Sequence, residues 1–540
     1  MSIFSIGVSG LSAAQLALQT TSNNISNVYT PGYNRELTLV EDASLTGGIE
    51  VTGIQRQFDY FTSTQLNQAT SQLKALEAYE VQVNQLDNLL ADTEAGLAPL
   101  MQSFFSSLSD LAAAPSDPAA RQGVIGTANT LSAQFRAMGE YFENMQQGIN
   151  TQIESEITQI NNTAELISKL NSEIAIARAR TGEEPNSLLN RRDQLVAELS
   201  ERVDVRVYIQ DGGAYNISIG NGQPLVSGSQ SYQMVAIDSS LEPYKTVVGY
   251  QDSAGNVLEL DESIFQGGKL GGLMTFRAET LDAVQNEIGQ LAVSLAMEFN
   301  EQHMAGLDLN GDPGLEFFGI GSPVTFSSAK NIGTASFSAE FSDATQLTGL
   351  DYELRVNDAA SGEFIITPSD GTPSFTATLD ASNQLNFDGL TLTLDDPALL
   401  ANNDRFKLLP TRDIAGSLDT LIQDGSLVAA GQIGGSGDNL NALALQDLQN
   451  SAIVGGTATL NQGYASIVSD VGNRTNIAQV NLAAQDGITM QIRTLQQSQS
   501  GVNMDEEAAN LIRYQQYYQA NAKVIETAAT VIDTLLGMRS

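Results

Sequence analysis

The two ends of this 540-residue chain carry matching apolar stripes, and that match restricts its fold more than any other feature. Phe4, Leu11, Leu18 and Ile25 recur every seven residues, with Gly7, Ala14, Thr21 and Val28 three positions after each. Such a repeat lines one face of a helix with one kind of side chain, the seam of a coiled coil. Near the other terminus Leu511, Tyr518, Ile525 and Ile532 keep the same spacing, and Ala508, Gln515, Ala522, Ala529 and Leu536 complete the line. The first helix is expected to stop between Ser22 and Asn27, because Asn tolerates a left-handed cap and Pro31-Gly32 turns the chain. The last is expected to start at Asn503, which has capping spacing to Glu506, with Asp505, Glu506 and Glu507 on the positive end of the dipole. Two such helices alone bury too few large side chains to offset their ordering, so both stripes are expected to be completed by further copies of the chain.

Between the ends, Leu76, Val83, Leu90 and Leu97 with Tyr79 and Leu86 predict a heptad helix, and the run from Ile153 through Ile160 and Ile167 to Ile174 predicts another. Pro115-Ser-Asp-Pro118 reads as a helix connection, and Leu188–Leu199 and Leu281–Phe299 as two more amphipathic helices. Strand alternation appears twice. One block runs from about Val203 to Leu260, with Gly212-Gly213 and Asn221-Gly222 as hairpin signals; the other runs from about Val324 to Leu409. The fold class expected is therefore α+β and multi-domain, a long-helix bundle from both chain ends with inserted β domains. Residues 1–40 with 500–540 make a terminal coiled coil that forms on assembly. Residues 41–323 with 411–499 make a helical bundle with a small β insert at about 203–262, and 324–410 an outer all-β domain.

Composition removes several functions. With 25 basic and 63 acidic residues the net charge is −38, which gives phosphate backbones little to bind, so no nucleic-acid partner is expected. Zero Cys excludes thiolate nucleophiles, disulfides and cysteinyl metal sites. No uninterrupted apolar run reaches membrane-span length, so no membrane insertion is expected. The first charge is Arg35, so the basic region of a secretory signal is missing, and a cytoplasmic location or export without cleavage is expected.

The candidate chemistry fails on spacing. Asp308-Leu-Asn310-Gly-Asp312 copies the start of a calcium loop, but Pro313 stands where Gly is needed and Gly319 where a bidentate Glu is needed. Gly267-Gly-Lys269-Leu-Gly271-Gly has Ser263 and Leu270 where a phosphate loop needs Gly and Ser or Thr, so it is expected to be a flexible lead into the helix at Leu273. The single His303 is expected just past a helix ending near Phe299, as a hydrogen-bonder and not a base. No carboxylate pair is singled out for glycoside hydrolysis. No catalytic residue, metal ligand or cofactor is therefore assigned. The competing readings are a secreted acidic hydrolase on a helical stalk and a calcium-binding adhesin using Asp308 and Asp312.

Two segments carry a resemblance. Asn23-Asn-Ile-Ser-Asn-Val-Tyr-Thr-Pro-Gly-Tyr-Asn-Arg35 resembles the amino-terminal signature of the bacterial flagellar axial proteins, the rod, hook and hook-associated proteins. Ser500-Gly-Val-Asn-Met-Asp-Glu-Glu-Ala-Ala-Asn-Leu511 is similar to the carboxy-terminal signature of that family. Leu188–Val196, Gly268–Leu273, and Asn300–His303 leading into Gly306-Leu-Asp308 and Phe317-Phe318 resemble its hook–filament junction members. The residues carried over are Asn23, Asn24, Asn27, Pro31, Gly32, Tyr33, Gly501, Asn503, Glu506 and Glu507. The resemblance implies a non-enzymatic structural adaptor of the flagellum. It would be exported by the flagellar type III apparatus without cleavage and assembled outside the cell as a homo-oligomeric ring between hook and filament. Implied partners are the hook protein, a second hook–filament junction protein and a cytoplasmic export chaperone on the carboxy-terminal helix.

Overall fold

The computed structural model describes residues 3–43, 47–92, 96–220, 222–252 and 254–538. Helices run in from both chain ends and β units are inserted between them, the α+β arrangement expected. The amino-terminal helix α1 spans Ile3–Ser26, and a hairpin of β1 (Glu36–Asp42) and β2 (Ile49–Arg56) follows, with a bulge after Leu39. Next come α2 (Tyr60–Leu90), α3 (Leu97–Ala113), α4 (Pro118–Thr181) and α5 (Asn186–Ser200). The heptad read through Leu97 thus crosses a break: α2 ends at Leu90 and Leu97 opens α3, its register continuing by coincidence.

At 64 residues α4 is about 96 Å long. Its ends follow from local chemistry: the Asp117 side chain accepts from Ala119 N, Pro118 sits where no N–H is needed, and Gly182 closes the last turn at φ +72°. Val124, Leu131, Met138 and Met145, then Ile153, Ile160, Ile167 and Ile174, form its buried face. That face supports β3 (Val205–Ile209), β4 (Tyr215–Ile219), β5 (Gln223–Ser227) and β6 (Gln230–Ser231) in one sheet, and β7 (Gln233–Asp238), β8 (Thr246–Gln251) and β9 (Val257–Glu259) in a second. Gly222 turns the β4–β5 hairpin at φ +100°; its predicted neighbour Asn221 lies outside the described residues.

The helices resume as α6 (Gly268–Phe276) and, through a π turn at Arg277–Leu281, as α7 (Asp282–Met304). The Gly-rich stretch here is close packing, not the flexible lead expected. A Cβ on Gly272 would lie 2.1 Å from the Ala75 carbonyl oxygen of α2, and one on Gly268 2.2 Å from the Arg202 carbonyl carbon. Glycine is what lets these backbones touch.

After the two-residue strand β10 (Phe318–Gly319) comes a β sandwich. Its larger sheet orders β11 (Val324–Ser327), β18 (Arg405–Leu409), β13 (Tyr352–Asp358), β14 (Glu363–Pro368) and β15 (Phe375–Thr378). The smaller orders β12 (Phe337–Phe341), β17 (Leu390–Leu394) and β16 (Gln384–Phe387). Phe337 of the smaller sheet meets Phe364 and Phe406 of the larger at 5.5 and 5.0 Å between ring centroids, which places the core between the sheets.

The chain returns through β19 (Asp419–Thr420) and α8 (Leu440–Asp447) to α9 (Leu460–Ser500), which lies along α2, and then α10 (Met504–Gly537), which pairs with α1. A capping box of Thr459 and Gln462 starts α9, and Asn503 caps α10 by accepting from Asp505 N and Glu506 N. Among the described residues, α1 is long and apolar enough to cross a membrane on length and composition, contrary to the expectation that no segment would be. In this fold it lies instead against α10 and the hairpin.

Candidate assembly site at the joined chain ends

α1 and α10 are antiparallel, Gly7 facing Ile525, Gly10 facing Asn521 and Asn24 facing Glu507. The face α1 buries is made of small residues: Gly7, Gly10, Ala13, Ala14, Ala17, Thr20, Thr21 and Asn24. A Cβ on Gly10 would lie 2.4 Å from Asn521 Oδ1, and one on Gly7 2.8 Å from Ile525 Cγ1, so this approach depends on glycine. The large residues of the predicted seam flank the contact. Leu11, Leu18, Ile25, Leu511 and Ile525 are half-buried, while Phe4, Tyr518 and Ile532 are exposed. The reason is steric: helices that approach on glycine and alanine push larger neighbours to the edges of the groove. Past the level of Ile3, Leu535 and Leu536 of α10 are 62% and 63% exposed beside exposed Val531 and Ile532.

At the base of the pair a polar clasp ties the two signatures together. Asn24, fully buried, donates through Nδ2 to Glu36 O at 2.9 Å and to Glu507 Oε2 at 3.2 Å. Its Oδ1 accepts from Tyr33 OH at 2.8 Å and from Glu36 N at 3.0 Å, so both side-chain donors and both lone pairs are used. Arg35 spans the two acidic residues of α10, Nε to Glu507 Oε1 and Nη1 to Glu506 Oε2, each at 2.8 Å. Its backbone N–H donates to Ser500 O at 2.8 Å. Burial, with the Glu36 and Glu507 charges, pushes the Tyr33 phenol up, so it remains a donor; burial also pushes the Glu36 carboxyl up.

Of the residues carried over from the family signature, the structure brings Asn24, Tyr33, Glu506 and Glu507 into this clasp, with Asn503 as the helix cap beside it. Asn23, Asn27 and Pro31 shape the turn after α1: Asn27 Nδ2 donates to Asn23 O at 3.0 Å and Thr30 Oγ1 to Asn27 Oδ1 at 3.1 Å. Gly32 takes φ +75° against Gln194, and Gly501 lies at the break between α9 and α10. Arg35 was missed as a site residue although it ends the quoted motif and is the first charge of the chain, signals that could have found it. Glu36 carried no signal.

The residues weighed for catalysis lie elsewhere. His303 is inside the last turn of α7, one turn beyond the predicted helix end, and fully buried. Its Nδ1 faces Leu315 O at 2.6 Å, and Nε2 accepts from Ala429 N at 2.8 Å, which fixes a neutral ring with the proton on Nδ1. Burial lowers its pKa to about 4. Asp308 is spent on its own turn, accepting from Asn310 N at 2.8 Å and Asp312 N at 3.0 Å. No group of three metal-ligating side chains occurs among the described residues.

Residues 83–318 match the family model of the flagellar hook-associated protein FlgK helical domain, and 326–410 that of a D2-like domain of flagellar hook-associated protein 1. Residues 4–34 match the flagella basal body rod protein model, and 493–538 the flagellar basal body rod FlgEFG protein C-terminal model. The chain is 41% identical to flagellar hook-associated protein 1 of Escherichia coli K12 over 100% of both chains, and equally identical to that of Salmonella typhimurium LT2, again over 100% of both. The solved flagellar hook junction protein FlgK of Burkholderia pseudomallei superposes with a TM-score of 0.75 at 27% identity, over 81% of this chain and 100% of that one. With full-length identity at this level, family models matching both ends, the helical domain and the D2-like domain, and a shared fold, the chain belongs to the flagellar hook-associated protein 1 family.

Proposed function

We propose that this chain is a structural adaptor of the bacterial flagellum that joins hook to filament by assembling, through its terminal helices, into a ring of identical copies. The observation that carries the reading is the clasp. Residues almost 500 positions apart are drawn into one buried polar network at the base of a helix pair whose large apolar residues remain at its edges. Such exposed apolar lines mark surfaces awaiting a partner. The hook protein on one side and a second junction protein on the other are the expected neighbours. Before export a cytoplasmic chaperone covers the apolar face of α10, and the chain leaves uncleaved through the flagellar type III route to act outside the cell. The reading is non-enzymatic, supported by a His303 whose two ring nitrogens are taken up by backbone groups.

Deleting residues 1–30 tests it. The body is expected to melt as in the full chain, while cells carrying the deletion build hooks without attached filaments. Normal filament attachment, or collapse of the body, would overturn the reading.

A further inference from the structure

Helix α5 presents a polar stripe to the terminal segment. At its start Asn186 Nδ2 donates to Ile54 O of β2 at 2.9 Å. One turn on, Asn190 Oδ1 accepts both from Asn34 Nδ2 at 2.7 Å and from Arg56 Nη1 at 3.2 Å. Asp193 then pairs through Oδ2 with the same Arg56 Nη1, and its Oδ1 accepts from Tyr215 OH of β4 at 2.7 Å. Gln194 packs beneath Gly32, where a Cβ would come within 3.0 Å of its own. These positions follow one face of a helix. The opposite face is fixed to the body: Leu189, Leu195, Val196 and Leu199 are buried, and the Arg192 guanidinium lies 3.4 Å over the Tyr215 ring while bonding to Asn171 and Gly213 O.

Covalently, the terminal unit joins the body only through residues 57–59 and 501–503, two short non-helical crossings. Two crossings leave a hinge axis free. The α5 stripe adds a third attachment, touching both the turn after α1 and strand β2.

We propose that Asn190, Asp193 and Arg56 form a latch that sets the angle of the terminal helix pair on the body, and that joining hook to filament requires that angle. This rests on the adaptor reading above. Arg56, Asn190 and Asp193 act as positioning residues: none lies on the exposed apolar lines, and their role is to hold the pair where neighbouring copies of this chain can close over it.

The test places full-length Arg56→Met, Asn190→Ala and Arg56→Lys chains in cells lacking the wild-type protein, counts attached filaments, and records melting of each purified chain. Only Nη1 of Arg56 makes the polar contacts, so a lysine ammonium can serve both partners. Loosening the hinge lowers the fraction of chains in the competent geometry, and with it the apparent affinity, so Arg56→Met and Asn190→Ala are expected to carry about tenfold fewer attached filaments. Arg56→Met leaves the largely buried Asp193 carboxylate short of its cation and should itself lower melting, so Asn190→Ala, which strands no charge, is the stability control and should melt as wild type, and Arg56→Lys should restore attachment. Normal attachment by Arg56→Met, in cells where the 1–30 deletion abolishes it, would overturn the latch and leave the adaptor reading standing. Normal attachment by the deletion would overturn the adaptor reading itself. Lowered melting in Asn190→Ala, or failure of Arg56→Lys to do better than Arg56→Met, would reduce these contacts to packing and also overturn the proposal.

Discussion

The sharpest energetic prediction concerns the joint between the β sandwich and the rest of the chain. There Arg412, just past β18, meets Glu242 at 2.8 Å, Asp282 at 3.4 Å and Asp351. Lys245 holds Asp282 at 3.1 Å, and Lys407 lies 3.7 Å from Glu242, so three cations balance three carboxylates in a site largely closed to water, with the self-balanced Arg277–Glu262 pair beside them. Arg412→Met leaves two cations against three carboxylates. Removing one partner of a buried ion pair costs about 3–5 kcal/mol, because the remaining charge is stranded. Asp351→Asn made in the same chain restores the balance, so the two substitutions should couple by about 1–3 kcal/mol. The chain has no Trp, and Tyr244 packs its ring on Phe326 of β11 across this joint at 6.0 Å. A Tyr244→Trp background therefore gives a fluorescence probe of the joint alone, followed through urea unfolding. Acid should erase the effect. Burial pushes the Asp282 carboxyl up, but Arg412, Lys245 and Arg277 outweigh it and hold it at about 2, so its stabilisation is complete above the unfolded value and is lost as pH falls from about 4 to 2. Asp351, pushed up by burial, takes its proton first. A loss under about 1 kcal/mol for Arg412→Met, or additivity of the pair within about 0.5 kcal/mol, would refute the reasoning.

Other expectations follow from single sites. His303 sits at about 4 folded and about 6.5 unfolded, so its contribution is complete above pH 6.5 and declines toward pH 4 by up to about 1.4 kcal/mol per pH unit. His303→Gln should flatten the stability profile in that window, and a slope retained there would assign it to other groups. Gly272→Ala puts a methyl against the Ala75 carbonyl and should cost about 1–3 kcal/mol in urea titrations, whereas a neutral result would return this stretch to a flexible lead. Gly10→Val should leave the body's melting unchanged and abolish filament attachment, since its side chain meets Asn521; swimming at wild-type speed would contradict the α1–α10 contact.

Much of the architecture was legible because its signals are local. Heptads located α1, α10 and the Ile153–Ile174 part of α4, though not its first half, the Pro115–Pro118 pair marked the α3–α4 connection, and alternation separated the two β blocks. Where local signals misled, tertiary contact decided. Leu97 continues a register across a break, and the glycines from 267 to 272 look loose in sequence yet touch backbone. The hairpin from Glu36 to Arg56 escaped notice because both its faces are partly exposed, leaving no alternation to read. All of the clasp but Glu36 lay within the two quoted signatures. Its completion by Glu36, the latch on α5 and the charged joint draw on residues scattered over hundreds of positions, and no spacing rule links Glu242, Asp282, Asp351 and Arg412.

The central claim is that α1 and α10 are completed by neighbouring copies, and hydrogen exchange compares the two states directly. In dilute monomer the amides of residues 3–19 and 511–537, beyond the clasp, should exchange much faster than those of α4 and α7; in assembled junctions both terminal helices should become as protected as α4. Equal, strong protection of the terminal helices in the monomer would contradict the account.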